Sequence, residues 1–361
     1  MNITSIKFKN YRNLKEQEIN SNSGVNIIYG NNAQGKTNII EAIWISTGGR
    51  SFRGTKDQDL INFNEKNAET ELKFHARGRE QRIKTQIADG QRKVFLNSIL
   101  KTPASNIVGE FTSVIFSPSH LSLIKEGPHA RRNFLDAAIC QIKPIYAKII
   151  LQYRHILNQR NSLLKSIQND KSLISTLDAW DNKFIDRSLV IRTERTKYLS
   201  LLQKEVLNIY RGLTSGTEQL ELFYKGVAKD IDSLKEDLVK ELNRNRTEDI
   251  ARGFTGKGPH RDDLEIRMNN KSVRSFGSQG QQRSVVLAMK IAEAEILEKS
   301  TGEKPVILLD DVMSELDTSR RNYILNFVKN GQVFITCCEP LSSIQLANSS
   351  VFEVRQGKIL P

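Results

Sequence analysis

The feature that most constrains this chain is an eight-residue run, GNNAQGKT at 30–37, set between two apolar stretches. The residues before it, VNIIY at 25–29, read as a buried strand, and the NIIEAIWIST that follows reads as a helix. The run fits G-x-x-x-x-G-K-[ST] without a gap, in the strand–loop–helix setting that makes this pattern a phosphate cradle. Gly30 and Gly35 let the backbone wrap, so that N–H groups along Asn31, Asn32, Ala33 and Gln34 face phosphate oxygens. The helix N-terminus adds positive potential. Lys36 is expected on the β- and γ-phosphates and the Thr37 hydroxyl on Mg2+, which makes ATP and Mg2+ the expected cofactors. A chance glycine turn ahead of a helix is the competing reading.

PVILLDD at 305–311 is apolar until it ends in acids, as a strand of a parallel sheet does. Asp310 closes that strand, where P-loop proteins place the carboxylate on the Mg2+ side. Asp311 follows at once and either orients the attacking water or only caps the turn. SQGQQRS at 278–284 opens a helix, with Ser278 suited to an N-cap and Gly280 allowing close backbone approach to a ligand. Ser-capped helix starts are common, so Ser278, Gln279, Gly280 and Gln281 gain their weight from position. The order is phosphate loop, large insertion, Ser–Gly signature, double acid, then the SELD loop of Ser314, Glu315, Leu316 and Asp317. That order resembles ABC ATPases, in which the signature completes the site on a second copy. The likeness implies a head-to-tail homodimer with two ATPs at its interface, by analogy of fold.

Around these motifs, Ile6 and Phe8 alternate with polar residues as a strand does. Segments 71–75, 82–88 and 94–96, with an Asp89-Gly90 turn, read as an antiparallel sheet. From 131 to 211 the pattern is helical. Ile149, Tyr153, Ile156, Leu157, Leu163, Leu164 and Ile167 share one face, and Leu173, Leu177, Trp180, Phe184 and Ile191 resume it after Asn169-Asp170. Two long helices joined by a tight turn are expected, roughly 35–60 Å each at about 1.5 Å per residue. Their polar faces carry Arg154, Arg160, Lys165, Arg187, Arg192, Arg195, Lys197 and Lys204, either a contact surface or a plain solvated face. Strands return at 264–268 and 333–337, a helix at 320–328, and VFEVRQGKI closes as a hairpin-like pair. The expected fold is α/β. It has an ABC-type P-loop head of mixed sheets around the phosphate-loop helix (1–118 plus 255–361) and an inserted, mainly α-helical second lobe (119–254).

The net charge of +13 favours a polyanionic partner, since Lys and Arg release counterions from a phosphate backbone; a merely basic soluble protein is the alternative. No apolar run reaches the roughly 18 residues that span a bilayer, and the start MNITSIKFKNYRN has no apolar core followed by a cleavage site. The three cysteines, Cys140, Cys337 and Cys338, form no CxxC pair, and adjacent Cys337 and Cys338 read as buried thiols. A cytoplasmic protein without a membrane partner is expected.

Six ordered blocks narrow the likeness: FKNYRNL (8–14), GRSFRG (49–54), FSPSHLSLIKEGPHARRNFLD (116–136), GKGPHRDDLEI (256–266), SFGSQGQQR (275–283) and LLDDVMSELD (308–317). They span nearly the whole chain, which resembles the RecF family of bacterial recombinational-repair ATPases, SMC-like and of the ABC type. The resemblance implies ATP binding, dimerisation with ATP, and DNA binding, whether to single strands, duplex or a gap junction. It implies at most a weak, DNA-dependent ATPase acting as an ATP-switched clamp. It implies work with RecO and RecR that helps RecA load at single-strand gaps, in support of replication, recombination and the SOS response. It also implies that Arg12 and Asn13 lie near the nucleotide, with a surface arginine beside a strand as the alternative for Arg12. His260, Arg261, Asp262 and Asp263 receive no role and could simply organise a turn; Arg131 and Arg132 either meet phosphates or start a helix.

Two departures from common ABC chemistry favour slow hydrolysis. Asp311 stands where many ABC ATPases have Glu, one methylene longer, and ITCCEP at 335–340 has no histidine where transporters usually place one. Turnover is therefore expected well below the ~10 s⁻¹ median enzyme. Three other readings fit less well. Another SMC-like repair protein calls for a long heptad coiled coil or a zinc hook, a small-molecule kinase needs neither SQGQQR nor SELD, and a transporter subunit calls for a membrane partner.

Overall fold

A computed structural model of the chain describes residues 1–214, 218–225, 227, 233–329, 331–339 and 349–360. In chain order the first elements are β1 (Asn2–Lys9), β2 (Gln17–Asn20), β3 (Val25–Tyr29), α1 (Lys36–Ile45), β4 (Asn67–Ala76), β5 (Arg79–Ala88), β6 (Gln91–Leu96), β7 (Ile99–Lys101) and β8 (Ser113–Phe116). Then come α2 (Ser122–Lys125), α3 (Pro128–Ile142), α4 (Pro144–Asn169), α5 (Ile174–Thr214), β9 (Leu220–Lys225), α6 (Leu234–Arg252), β10 (Asp263–Met268), β11 (Lys271–Ser272) and α7 (Val273–Phe276). The remainder are α8 (Gln279–Thr301), β12 (Val306–Asp310), α9 (Thr318–Val328), β13 (Val333–Cys337), β14 (Ser349–Arg355) and β15 (Lys358–Leu360).

The chain divides into two compact units. Met1–Leu121, Ile209–Gly216 and Arg283–Pro361 form the first; Ser122–Asn208 and Thr217–Gln282 form the second. The first holds two sheets. One runs β15-β14-β3-β13-β12-β8, parallel except for the β15 edge. Its inner strands β12 and β13 are buried at every residue, which is why their sequences are continuous apolar runs rather than alternations. The other sheet is antiparallel, β2-β1-β4-β5-β6-β7. There β4 alternates buried and less buried residues along its length, as one-sided packing requires. Asp89 and Gly90 both take positive φ, 52° and 70°, as the two central residues of a tight hairpin must. One apolar core joins Ile39, Ile40 and Ile43 of α1 to Phe74 and Ile83 of the antiparallel sheet and to Ile28, Leu308 and Phe334 of the parallel one.

The second unit corrects three expectations. First, residues 255–282 belong to this unit rather than to the head, because β10 pairs antiparallel with β9 from Asp263↔Lys225 to Met268↔Leu220. Second, the expected pair of long helices is there as the 26-residue α4 and 41-residue α5, but a further helix precedes it: the stretch breaks at Lys143, where Pro144 occupies the first turn of α4, and α3 stands apart. Third, Arg160, Arg192 and Arg195 do not sit on a solvated face. Arg160 is wholly buried and donates to Asp181 (2.7 Å), Asp249 (2.9 Å) and Thr255 (2.7 Å), tying α4 to α5 and α6. Arg192 grips Asp262 through Nε (2.9 Å) and Nη2 (2.7 Å), and Arg195 grips Asp136 through the same two nitrogens at 2.9 Å each. Such charges are stable inside only when each meets a partner, and these do. At the α4–α5 turn the Asp170 carboxylate accepts from the Ser172 N–H at 3.0 Å. Among the described residues no helix is long and apolar enough to cross a membrane.

Candidate phosphate-binding site

β3 delivers the chain to the loop at 30–35, and α1 begins at Lys36. Gly30 has φ 148°, and a Cβ there would lie 2.3 Å from the Val354 carbonyl oxygen, so no larger residue fits. Gly35 has φ 118° and caps α1 without a side chain, while the first turn of α1 holds no acid. A helix start left uncapped and without negative charge suits an anion. Ala33 also takes positive φ (62°), a strain the glycine pattern did not announce. Lys36 is almost wholly buried, and its ammonium folds back onto the carbonyls of Gly30 (2.6 Å) and Asn31 (3.0 Å). A buried cation held, among the described residues, against the loop's own carbonyls is well placed to take phosphate oxygens.

The rim of the loop is tied down from several sides. Asn13 Nδ2 donates to the Gln34 carbonyl (2.8 Å), and its Oδ1 accepts from Asn38 Nδ2 (2.8 Å). The turn between β14 and β15 adds the Gly357 N–H to the Gln34 carbonyl (3.0 Å) and the Gln356 N–H to the Gln34 side chain. Cys338 Sγ donates to Asn32 Oδ1 (3.2 Å); Cys337 is buried but Cys338 is exposed, against the expectation of two buried thiols. Glu339 is also exposed, and Pro340, the last residue of ITCCEP, lies outside the described residues.

Asp310, at the end of β12, is 5% exposed, and its Oδ1 accepts from Thr37 Oγ1 at 2.9 Å and from Thr336 Oγ1 at 2.9 Å. Burial pushes its carboxyl above the usual range, and Asp311 beside it adds to the rise; the two hydroxyl donors and the Arg53 guanidinium pull the other way. Among the described residues no cluster of three or more His, Cys, Asp or Glu could hold a metal by itself. Thr37 and Asp310 therefore suit a cation that takes its other ligands from phosphate and water, the habit of Mg2+. Asp311 sits in the left-handed region (φ 52°) with its N–H donating to Thr336 Oγ1.

Arg12 lies against the phosphate-loop helix. It makes a two-pronged ion pair with Glu41 of α1, Nε–Oε2 and Nη2–Oε1 both 2.9 Å, and donates to Thr55 Oγ1 (2.9 Å) and the Asp59 carbonyl (2.9 Å). It anchors the phosphate-loop helix, while Asn13 is the residue of the pair that touches the loop. Arg53, in GRSFRG, carries no motif of its own in the sequence, yet its Nη1 donates to Asn38 Oδ1 at 3.1 Å and its field reaches Asp310. The only sequence signal for it was the block itself.

Ser278, Gln279, Gly280 and Gln281 belong to the second unit, and the phosphate loop, Asp310 and Asp311 to the first. Ser278 and Gln281 form a reciprocal cap on α8. The Gln281 N–H donates to Ser278 Oγ (3.2 Å) and the Ser278 N–H to Gln281 Oε1 (2.8 Å), while Gln281 Nε2 donates to Glu218 (2.5 Å). Gln279 and Gly280 lie in the first turn of α8. In the SELD loop Ser314 Oγ donates to the Asp311 carbonyl (3.0 Å), and Glu315 pairs with Arg283 (3.5 Å). Leu316 is buried, and Asp317 caps α9 by accepting from the Arg320 N–H (2.9 Å).

GPHRDDL acquires a structural role within the second unit. His260 Nε2 faces the Thr255 carbonyl (3.0 Å), which can only accept, so Nδ1 must accept from the Tyr153 hydroxyl (2.6 Å). That neutral imidazole is held down to a pKa of about 4, chiefly by burial. Asp262 takes Arg192 and the Tyr224 hydroxyl (2.9 Å), and Asp263 takes both prongs of Arg131 (2.8 and 3.0 Å). Arg132 donates to the Asp262 carbonyl (2.8 Å). Arg131 and Arg132 are thus bracing residues here. Arg261 is exposed, over the Phe254 ring at 5.6 Å.

In the parallel sheet, β13 lies between the strand that feeds the phosphate loop and the strand that ends in Asp310; with the antiparallel sheet packed on α1, the fold is that of an ABC-type ATPase head. The family model described as the RecF/RecN/SMC N terminal domain matches residues 2–359. The DNA replication and repair protein RecF of Acetivibrio thermocellus is 41% identical, with 94% of each chain covered, and that of Clostridium perfringens is 39% identical over 99% of each. A structure of the recombination mediator protein RecF with ATP, in the RecFOR pathway, aligns with a TM-score of 0.93 at 37% identity, covering 99% of this chain and 97% of that one. The Smc head domain of Pyrococcus furiosus, at a TM-score of 0.57 and 18% identity, shares the fold. The chain belongs to the RecF family.

Proposed function

We propose that this chain is an ATP-dependent DNA-binding protein of recombinational repair, in which ATP binding drives head-to-tail homodimerisation on DNA and slow hydrolysis resets it. The observation that carries the reading is Lys36, buried inside its loop with its ammonium on the Gly30 and Asn31 carbonyls, beside Thr37 hydrogen-bonded to Asp310. Lys36 would exchange those carbonyls for phosphate oxygens. Thr37 and Asp310 would hold Mg2+, which supplies charge neutralisation on the phosphates. Asp311, in its fixed left-handed conformation, would orient the attacking water. Ser278, with Gln279, Gly280 and Gln281, would complete the site of a second copy, since the N-terminus of α8 carries the positive end of its helix dipole and Ser278 and Gln281 could turn from their mutual cap towards an anion. Ser314, Glu315, Leu316 and Asp317 would lie at the same interface. The net charge of +13 supports DNA as the object held.

The relatives named for DNA replication and repair, and the RecF–ATP structure of the RecFOR pathway, support the wider role: with RecO and RecR, helping RecA load at single-strand gaps, in replication and the SOS response. Light scattering with and without ATP tests the latch. Lys36→Arg should fold yet stay monomeric with ATP; Ser278→Arg should bind ATP yet stay monomeric. A Ser278→Arg dimer as strong as the wild type refutes completion in trans. DNA titration at several salt concentrations tests the object: affinity should rise with ATP and fall with salt, and an affinity independent of salt rules out phosphate contacts. Steady-state turnover on DNA at or above ~10 s⁻¹ would sink the slow-latch reading.

A further inference from the structure

We propose that Thr336 is a positioning residue that couples the two acids at the end of β12, setting Asp310 and Asp311 with one hydroxyl. The inference rests on the nucleotide-hydrolysing reading above and assigns it a residue on a third element. Thr336 lies on β13, directly across from Asp310 in the parallel register. It is fully buried. Its Oγ1 donates to Asp310 Oδ1 (2.9 Å) and accepts from the Asp311 N–H (2.9 Å), so both capacities of the hydroxyl are spent on consecutive acids.

Each bond fixes something different. Thr37, from α1, donates to the same Oδ1 of Asp310 at 2.9 Å. Two hydroxyls from two elements on one oxygen fix the rotation of that carboxylate. The second bond acts on backbone. Asp311 leaves the strand with φ 52°, a conformation that L residues other than glycine rarely hold without support. The Thr336 oxygen holds its N–H, and Ser314 Oγ holds its carbonyl at 3.0 Å. The direction of the Asp311 side chain is therefore set from outside its own strand. A threonine that merely filled a buried strand position would have no need to meet both acids.

The test uses the full chain and the variants Thr336→Val, which keeps the shape and loses the hydroxyl, and Thr336→Ser, which keeps the hydroxyl. Binding is read by titration with a fluorescent N-methylanthraniloyl ATP and Mg2+, and chemistry by single-turnover hydrolysis of radiolabelled ATP. The valine variant should bind within about threefold of the wild type yet hydrolyse about 10- to 100-fold more slowly, the scale of losing one or two buried hydrogen bonds in the reacting geometry. The serine variant should return to within about threefold of the wild-type rate. Should the valine variant not fold, Thr336→Ala against Thr336→Ser carries the same comparison. A valine variant at the wild-type rate overturns the proposal, and so does a folded serine variant as slow as valine. If the wild type binds no nucleotide, the functional reading falls and the inference with it. If the wild type hydrolyses ATP and the valine variant matches it, the inference alone falls.

Discussion

Removing Arg12 should unfold the head more readily before it does anything to a nucleotide. Its partner Glu41 is fully buried on α1 and takes two 2.9 Å bonds from the guanidinium; without them it keeps Ser51 Oγ at 2.5 Å. Removing one member of a buried ion pair destabilises by about 3–5 kcal/mol, because the other charge stays in the interior unmatched. Arg12 itself is 17% exposed and Ser51 still donates, so Arg12→Met belongs at the lower end, about 3 kcal/mol. For a unit of this size each kcal/mol moves Tm by roughly 2–4 °C, which puts the expected fall at roughly 6–12 °C. Replacing both partners with apolar residues of similar volume, Arg12→Met with Glu41→Leu, leaves no stranded charge and should recover most of that loss.

Thermal melts without nucleotide, on the two single variants and the double, close the cycle. Nucleotide titrations on the same proteins separate anchoring from direct contact. If Arg12 served the nucleotide first, Arg12→Met would melt like the wild type and bind poorly. An unchanged melt, or a double variant no better than either single, would refute the anchoring argument.

Three further outcomes are expected. Gly30→Ala drives a Cβ to 2.3 Å from the Val354 carbonyl and should lose nucleotide binding by tenfold or more, at about 1–3 kcal/mol of overpacking strain; Gly127→Ala, with ordinary negative φ and nothing within 4 Å, should bind normally. His260 is neutral in the fold with a pKa of about 4, against about 6.5 in an open chain, so the unfolded state takes up the proton first as pH falls. Stability present above pH ~6.5 should drain away towards pH ~4 by about 2–3 kcal/mol for this group. Urea midpoints at pH 7 and 4.5 should lie closer together in His260→Gln, and an unchanged gap would count against the neutral imidazole. Asp317→Ala removes the side-chain cap of α9 and should cost about 1 kcal/mol by urea melt; no measurable change would mean that the cap is idle.

The phosphate loop, the double acid and the strands around them were legible because each is written locally. A five-residue apolar run bounded by glycine or acid has few structures open to it, and Asp89-Gly90 announces its turn. What failed was non-local. The boundary at 254/255 missed that β10 pairs with β9 across α6, a pairing that leaves no mark in either segment. The sequence does not set Arg160, Arg192 and Arg195 inward, because an arginine on a helix looks the same whether it meets water or a carboxylate. Their acids, Asp181, Asp249, Asp262 and Asp136, come from other helices and loops. Pro144 was a local signal that went unread. Nothing in the sequence distinguishes Thr336 from any other β-branched strand residue, since its bonds to Asp310 and Asp311 depend on the order of strands in the sheet.

That same order bears on how the protein comes into being. β3 stands between β13 and β14, at Val333–Cys337 and Ser349–Arg355, and the turn beyond β14 grips Gln34. On the ribosome, residues 30–37 emerge when neither neighbouring strand has yet been made. A polypeptide stopped before Ser349 would carry the whole phosphate loop and both acids, with one side of β3 bare and Gln34 held by Asn13 but not by the turn at 356–357. The loop's full bracing thus arrives only with the final strands, so the sheet order makes the phosphate loop one of the last parts of the head to be completed.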